Sequence, residues 1–159
     1  MDSDSFRRIL GSFPTGVTVL TTAVDGEFHG VTVNSLTSVS LDPQLVLVCI
    51  DKQAVAHGQI QRAGQFGVSF LAAAQEETSR LFAVSAPPDS GQLRGALYRL
   101  GSHGVPILEG SLAWLECALT DQYPGGDHTV FLGAVLAGGT EPQGNPLIYF
   151  RGRYRGIAN

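Results

Sequence analysis

The apolar residues of this chain fall mostly into short, β-branched runs separated by turns, which predicts many short strands. Val17–Val24, rich in Val and Thr, leads through Asp25-Gly26 into Glu27–Val33, a hairpin signature. Leu45–Ile50 is apolar throughout, as in a strand covered on both faces. In Phe66–Leu71, Phe66, Val68 and Phe70 share one face and Gly67, Ser69 and Leu71 the other. Leu112–Leu119 and Val130–Leu136 predict two more strands linked by Asp121–Thr129, and Leu147–Phe150 and Tyr154–Ile157 close the chain. Helical patterns are few. Phe6–Phe13 is one, with Ser5 as N-cap and Pro14 as its stop. Val55–Ala63, closed by Gly64, is another. Ala72–Val84 also has helical composition, with Glu76 and Arg80 at the favourable i,i+4 spacing and Leu81 and Phe82 facing the core. Ser85–His103, punctuated by Pro87-Pro88, Gly91, Gly95 and Gly101, reads as a loop.

Many short strands with two or three helices fit an α+β protein or a closed barrel with helical covers, and periodicity does not choose between them. No GxGxxG follows a strand and opens a helix, and no GxxxxGK[ST] is present. A nicotinamide nucleotide would have to be held without the glycine-rich fingerprint. At 159 residues the expectation is one domain, 1–159, large enough to bury a core without staples. The net charge of −4 gives no electrostatic case for nucleic acid. Cys49 and Cys117 have neither CxxC spacing nor a histidine at metal-ligand spacing, so they read as small buried hydrophobes, with no metal site. The N-terminus, Met1-Asp2-Ser3-Asp4-Ser5, has no targeting character, and the apolar runs are too short to span a bilayer. The expectation is therefore a cytoplasmic protein that does not bind membranes.

Chemistry-bearing residues concentrate in Gly30–Pro43. Seven of these fourteen residues carry a hydroxyl, amide or carboxylate: Thr32, Asn34, Ser35, Thr37, Ser38, Ser40 and Asp42. Small hydroxyls and free backbone N–H groups at this density can surround a flat, polar-edged ligand or a phosphate without adding charge. A Ser/Thr-rich strand pair with a turn has the same composition.

Flanking segments add specificity. Upstream stands Phe6–Thr22, containing Phe13-Pro14-Thr15-Gly16. Downstream stand Trp114-Leu115-Glu116-Cys117, Gly126-Asp127-His128-Thr129 running on to Val135, and Pro146–Tyr154. In this order and spacing, from about Phe6 to Tyr154, the chain resembles the flavin reductase-like family, the reductase components of two-component monooxygenases. The resemblance implies a mainly β fold with helical covers, the split β-barrel of flavin-reductase-like FMN-binding proteins, and a homodimer with flavin near the subunit interface. It implies NAD(P)H-dependent reduction of FMN or FAD, with NADH or NADPH as co-substrate and a flavin-dependent monooxygenase as partner.

By the same resemblance Thr32, Val33, Asn34, Ser35 and Leu36 line the flavin, with Ser40 nearby and Thr15-Gly16 shaping the cleft. Cys49, Asp51 and Lys52 resemble a second flavin-contacting stretch. Asp51 is suited to a ribityl hydroxyl, and Lys52 either to a phosphate or the reduced ring, or simply to solvent. Relatives place Ser, Ser and Thr after the lysine, whereas this chain has Gln53-Ala54-Val55-Ala56-His57. Backbone N–H groups at the start of the Val55–Ala63 helix (Val55, Ala56, His57) would then take the phosphate. A second departure is Gln44, where relatives have a proline. His128 is the expected catalytic residue, orienting the nicotinamide, with Asp127 accepting from one ring nitrogen. Arg151 and Tyr154 are assigned to the pyridine nucleotide, Tyr154 with an equal claim as a core aromatic. His29 and His103 read as surface residues, Trp114 as core and Glu76-Glu77 as a solvated face. The alternative function is a flavin-binding protein or flavin-dependent oxidase that retains its cofactor and acts on an organic substrate. The Gln53–His57 departure and the long Ser85–His103 loop motivate it.

Overall fold

The computed structural model describes residues 1–141 and 144–157, so the last two positions of the expected 1–159 domain lie outside the described residues. Strands dominate. β1 (Thr15–Gly16), β2 (Thr18–Val24), β3 (Glu27–Val33), β4 (Thr37–Leu41), β5 (Gln44–Asp51), β6 (Gln65–Phe70), β7 (Tyr98–Leu100), β8 (Pro106–Leu108), β9 (Ala113–Gly125), β10 (His128–Thr140), β11 (Ile148–Phe150) and β12 (Arg153–Arg155) are joined by three α-helices. These are α1 (Ser3–Leu10), α2 (Val55–Ala63) and α3 (Glu76–Ala83). The main sheet is antiparallel, in the order β3-β2-β6-β9-β10-β5-β4, and β1-β11-β12 and β7-β8 form smaller sheets. Among the described residues no ladder joins β3 to β4, so the main sheet is not closed by hydrogen bonds.

Two apolar clusters lie on opposite faces of this sheet. Leu20, Val48, Ile50, Ile60, Phe66, Val68 and Phe131 form the first, under α2. Val17, Val19, Leu71, Phe82, Leu93, Leu108 and Leu147 form the second, beside α3. Consecutive residues Val19 and Leu20 point into different clusters, so β2 is covered on both faces, with Thr18 through Thr22 all buried, and β6 is covered likewise from Phe66 through Ser69. The expectation of two-sided cover for Leu45–Ile50 is corrected. Val46, Val48 and Ile50 are buried while Leu45, Leu47 and Cys49 are half-buried, because α2 covers only one face there. Gly30 lets the Phe82 ring lie flat on β3, since a Cβ there would come within 2.6 Å of it.

Several boundaries move for identifiable reasons. Asp2, not Ser5, caps α1, its Oδ1 accepting from the Ser5 N–H at 2.8 Å. The expected Asp121–Thr129 link is mostly strand, because β9 and β10 run on as a long polar hairpin. Ala72–Val84 divides into a 3-10 turn and α3, with Phe82 buried and Leu81 half-buried. Trp114 is half-buried under the Arg99 guanidinium, 4.6 Å from its ring centre, rather than in the core. No helix of the described residues is long and apolar enough to cross a membrane.

His29 is corrected too, while His103 is a surface residue as expected, though not without a partner. His29 is buried against the Ala86 carbonyl at 3.1 Å, and burial holds its imidazole below the ordinary range. His103 belongs to a clamp around Glu116, whose carboxylate is fully buried on β9. Glu116 Oε2 accepts from the Ser102 N–H at 3.0 Å and hydroxyl at 2.8 Å, and Oε1 accepts from the His103 N–H at 2.8 Å. Burial pushes the carboxyl up, but these donors outweigh it and hold it below the usual glutamate range. A carboxyl that is a stronger acid when folded stabilises fully above the unfolded glutamate value, and that stability is lost as pH falls through the folded value. Glu116→Gln should therefore cost about 2 kcal/mol in urea unfolding at pH 7, and the gap to wild type should narrow below about pH 4. An unchanged gap at low pH would contradict this assignment.

Candidate functional site

A cleft of about 1090 Å³ opens where β1, the end of β3 and the β11 edge meet α1. Phe6, Leu10 and Phe13 form an exposed apolar wall, and Tyr149 stands opposite Thr15 in the β1–β11 register. One polar edge is formed by Thr15, Gly16, Asn34, Ser35 and Thr37, all uncharged, with Leu36 between them, while Arg7 of α1 brings a cation to the opposite wall. The Thr15 hydroxyl is buried with no hydrogen-bond partner.

Ser35 ties this edge to β5. Its Oγ donates to the Cys49 carbonyl at 3.1 Å and accepts from the Cys49 N–H at 3.0 Å. Thr37 pairs with Leu47, so Ser35 continues the β4–β5 ladder by one step with a side chain instead of a backbone. Beyond Cys49, the β5–β10 pairing sets Asp51 opposite His128. His128 Nδ1 donates to Asp127 Oδ1 at 2.7 Å, leaving Nε2 free of that bond. That hydrogen bond first, then the nearby imidazole charge, holds the exposed Asp127 carboxyl below its ordinary range.

The remaining candidates divide by what already engages them. The Thr32 hydroxyl donates to the Ser79 carbonyl at 2.7 Å, and Val33 packs against the first apolar cluster, so neither lines the cleft. Ser40 is half-buried on β4 opposite Leu45. Asp51 Oδ1 accepts from the Gln53 N–H at 2.8 Å, and Lys52 Nζ donates to the Gly126 carbonyl at 2.6 Å. On α2, Ala56 is buried in the core, Val55 is half-buried, and His57 Nε2 lies 2.8 Å from the Thr129 hydroxyl. The α2 N-cap, Ala54, supplies no side-chain cap. Arg151 lies over the Phe150 ring. The Tyr154 hydroxyl bonds Ser79 Oγ at 2.8 Å, and the Arg80 guanidinium covers its ring, so Tyr154 braces β12 on α3. The Cys117 thiol, pushed up to about 12 by burial and then by the Glu116 charge, is no nucleophile, and burial raises Cys49 as well. The α1 wall, Tyr149 and the Pro146-Leu147 edge also line the cleft; their segments share in the family resemblance, but their place in the cleft comes from the tertiary pairing of β1 with β11.

A mainly antiparallel sheet with helical covers and a cleft edged by small donors defines a small ligand-binding protein of the flavin reductase class. The chain belongs to the flavin reductase-like family: the family's model, described as a flavin reductase like domain, matches residues 10–158. An NADH-dependent FAD reductase of Streptomyces globisporus is 44% identical over 159 residues, spanning 99% of this chain and 87% of that protein. Among solved structures, BorF, the flavin reductase component of a bacterial two-component tryptophan halogenase, superposes with a TM-score of 0.93 at 43% identity, covering 99% of each chain. The Streptomyces globisporus NADH:FAD oxidoreductase SgcE6, in complex with NAD and FAD fragments, gives a TM-score of 0.92 at 42% identity over 99% of this chain and 93% of that one.

Ser35→Ala removes the step that joins cleft to β5 and leaves the Cys49 amide and carbonyl without their protein partner. It should lower stability by about 1–2 kcal/mol in denaturant unfolding. A loss below about 0.3 kcal/mol would show that the bracket is dispensable.

Proposed function

We propose that this chain is an NAD(P)H-dependent flavin reductase that reduces FMN or FAD and passes the reduced flavin to a partner monooxygenase. The observation carrying this reading is the cleft's edge of uncharged donors and acceptors, with the Thr15 hydroxyl buried and still unpaired. The oxidised isoalloxazine ring is neutral, flat and polar only at its rim, so this donor set fits it. A bound flavin would supply hydride acceptance from the nicotinamide. The chain's own part is to bind and orient. Thr15, Asn34 and Ser35 meet the ring's edge, and the apolar α1 wall excludes water. His128, set in one tautomer by Asp127, presents Nε2 to the nicotinamide. The phosphate falls to the backbone N–H groups of Val55 and Ala56 at the uncapped start of α2. The names of the two Streptomyces globisporus proteins favour NADH and FAD as the working pair, and the halogenase component's name favours a downstream flavin-using partner.

The proposal extends to a single domain, a split barrel and a cytoplasmic setting, where the nicotinamide pool is. Ser35 reaching across to β5 supports the barrel reading, since it draws the β3 end toward the far side of the sheet. A homodimer is part of it as well. Leu45, Leu47 and Cys49 on β5 and Val130, Leu132 and Ala134 on β10 form a half-buried apolar face opposite the core, with Tyr123 exposed beside them. Leu132→Asp should convert a dimer to a monomer in sedimentation. A wild-type protein that is already monomeric would remove this part.

Purified protein should oxidise NADH or NADPH when FMN, FAD or riboflavin is added in turn. Background rates with all three would overturn the reading, and a dialysis-resistant flavin without NAD(P)H oxidation would replace it with the cofactor-retaining alternative. His128→Ala should raise KM for the nicotinamide nucleotide by about tenfold while changing flavin Kd less than about twofold. Equal losses of both would make His128 structural.

A further inference from the structure

The turn carrying Asp127 and His128 is held by contacts that the reading above leaves unused. The Lys52 backbone N–H donates to the Asp127 carbonyl at 3.0 Å. The same residue folds its side chain back, so that Nζ donates to the Gly126 carbonyl at 2.6 Å. Gly126, at φ +70°, makes the tight turn between β9 and β10. Upstream, Asp51 pairs with His128 across the sheet and fixes the Gln53 N–H with its carboxylate, so the chain is pinned on both sides of Lys52. Asp127 and His128 need such support. Their side chains are 90% and 42% exposed, and an exposed pair holds one geometry only weakly by itself. An ammonium on a carbonyl is a charge-assisted bond, strong enough to offset ordering a lysine side chain.

We propose that Lys52 is a positioning residue whose ammonium clamps the 125–127 turn, so that Asp127 holds His128 in the Nδ1–H tautomer with Nε2 presented to the nicotinamide. The inference rests on the reductase reading for its kinetic consequence, but the clamp itself is a property of the protein without ligands. It also takes Lys52 away from the flavin phosphate and the reduced ring, two of the roles that the family resemblance leaves open for it.

Lys52→Met removes the ammonium and keeps the length, and Lys52→Arg keeps a charged donor. Lys52 is exposed, so both variants should fold like wild type. In the ligand-free protein, nitrogen-15 spectra of the histidine rings at neutral pH should show His128 as Nδ1–H in wild type and in Lys52→Arg. Lys52→Met should shift it toward the Nε2–H form that free histidine prefers. In the assay, Lys52→Met should raise KM for NADH about tenfold with KM for FAD within about twofold, and Lys52→Arg should recover most of the loss. An unchanged His128 spectrum in Lys52→Met would overturn the clamp. A rise in the KM for FAD with that for NADH unchanged would also overturn it and make Lys52 a phosphate ligand. If wild type oxidises neither NADH nor NADPH, the reductase reading falls, while the ring spectra still decide the clamp.

Discussion

The register of β5 against β10 is the constraint on which the rest of the structure depends. It runs without a break from His128 opposite Asp51 to Ala134 opposite Leu45. Because side chains alternate along a strand, that register decides both faces at once. Val48, Ile50 and Phe131 go into the core, while Leu45, Leu47, Val130 and Leu132 go to the opposite face. It also lays the Asp127-His128 corner against Asp51 and Lys52, residues more than seventy positions away in sequence. A slip of one residue would expose Phe131 and Val48 and separate these groups together.

The sheet keeps two cores apart and gives each its own helix, and the cleft opens where the two meet its end, with Leu36 and Phe70 from one side and Val17, Leu71 and Leu147 from the other. Between Val33 and Thr37 the chain leaves β3 and enters β4, and there its backbone is free of ladder pairing. A hydroxyl stands in for the missing rung at Cys49. The side chains in this gap are neutral, with Asn34 and Thr37 exposed and Ser35 and Leu36 half-buried. The one buried carboxylate, Glu116, sits elsewhere and is met by its own donors.

Much of the fold was legible because local chemistry and global structure agree. Val55–Ala63 is a helix at the predicted bounds, since Gly64 adopts a left-handed φ of +63° that ends it. Asp25-Gly26 makes the predicted hairpin, and Glu76 meets Arg80 at 2.6 Å as the i,i+4 spacing requires. What escaped reading depends on pairing alone. β4, Thr37-Ser38-Val39-Ser40-Leu41, is an exposed edge strand with few apolar positions to mark it. The far end of the β9–β10 hairpin is polar, so Asp121–Gly125 reads as loop although it is strand. Of the candidate site residues, those around Thr15 and Asn34–Leu36 share the cleft. Thr32 and Tyr154 turn out to hold α3, because hydroxyls on a strand and on a ring look the same in sequence whichever way they point.

The α1 helix buries none of its residues, and Gly11 at its C-terminal end ties it to β11–β12 by accepting from the Arg151 N–H at 2.8 Å. Its melting therefore exposes little surface that the sheet protects, and its local stability depends little on that of the main-sheet strands. One side of the cleft is thus built on paired strands, and the other on an eight-residue helix that packs little against them, so substitutions in α1 reshape the cleft at small cost to the sheet.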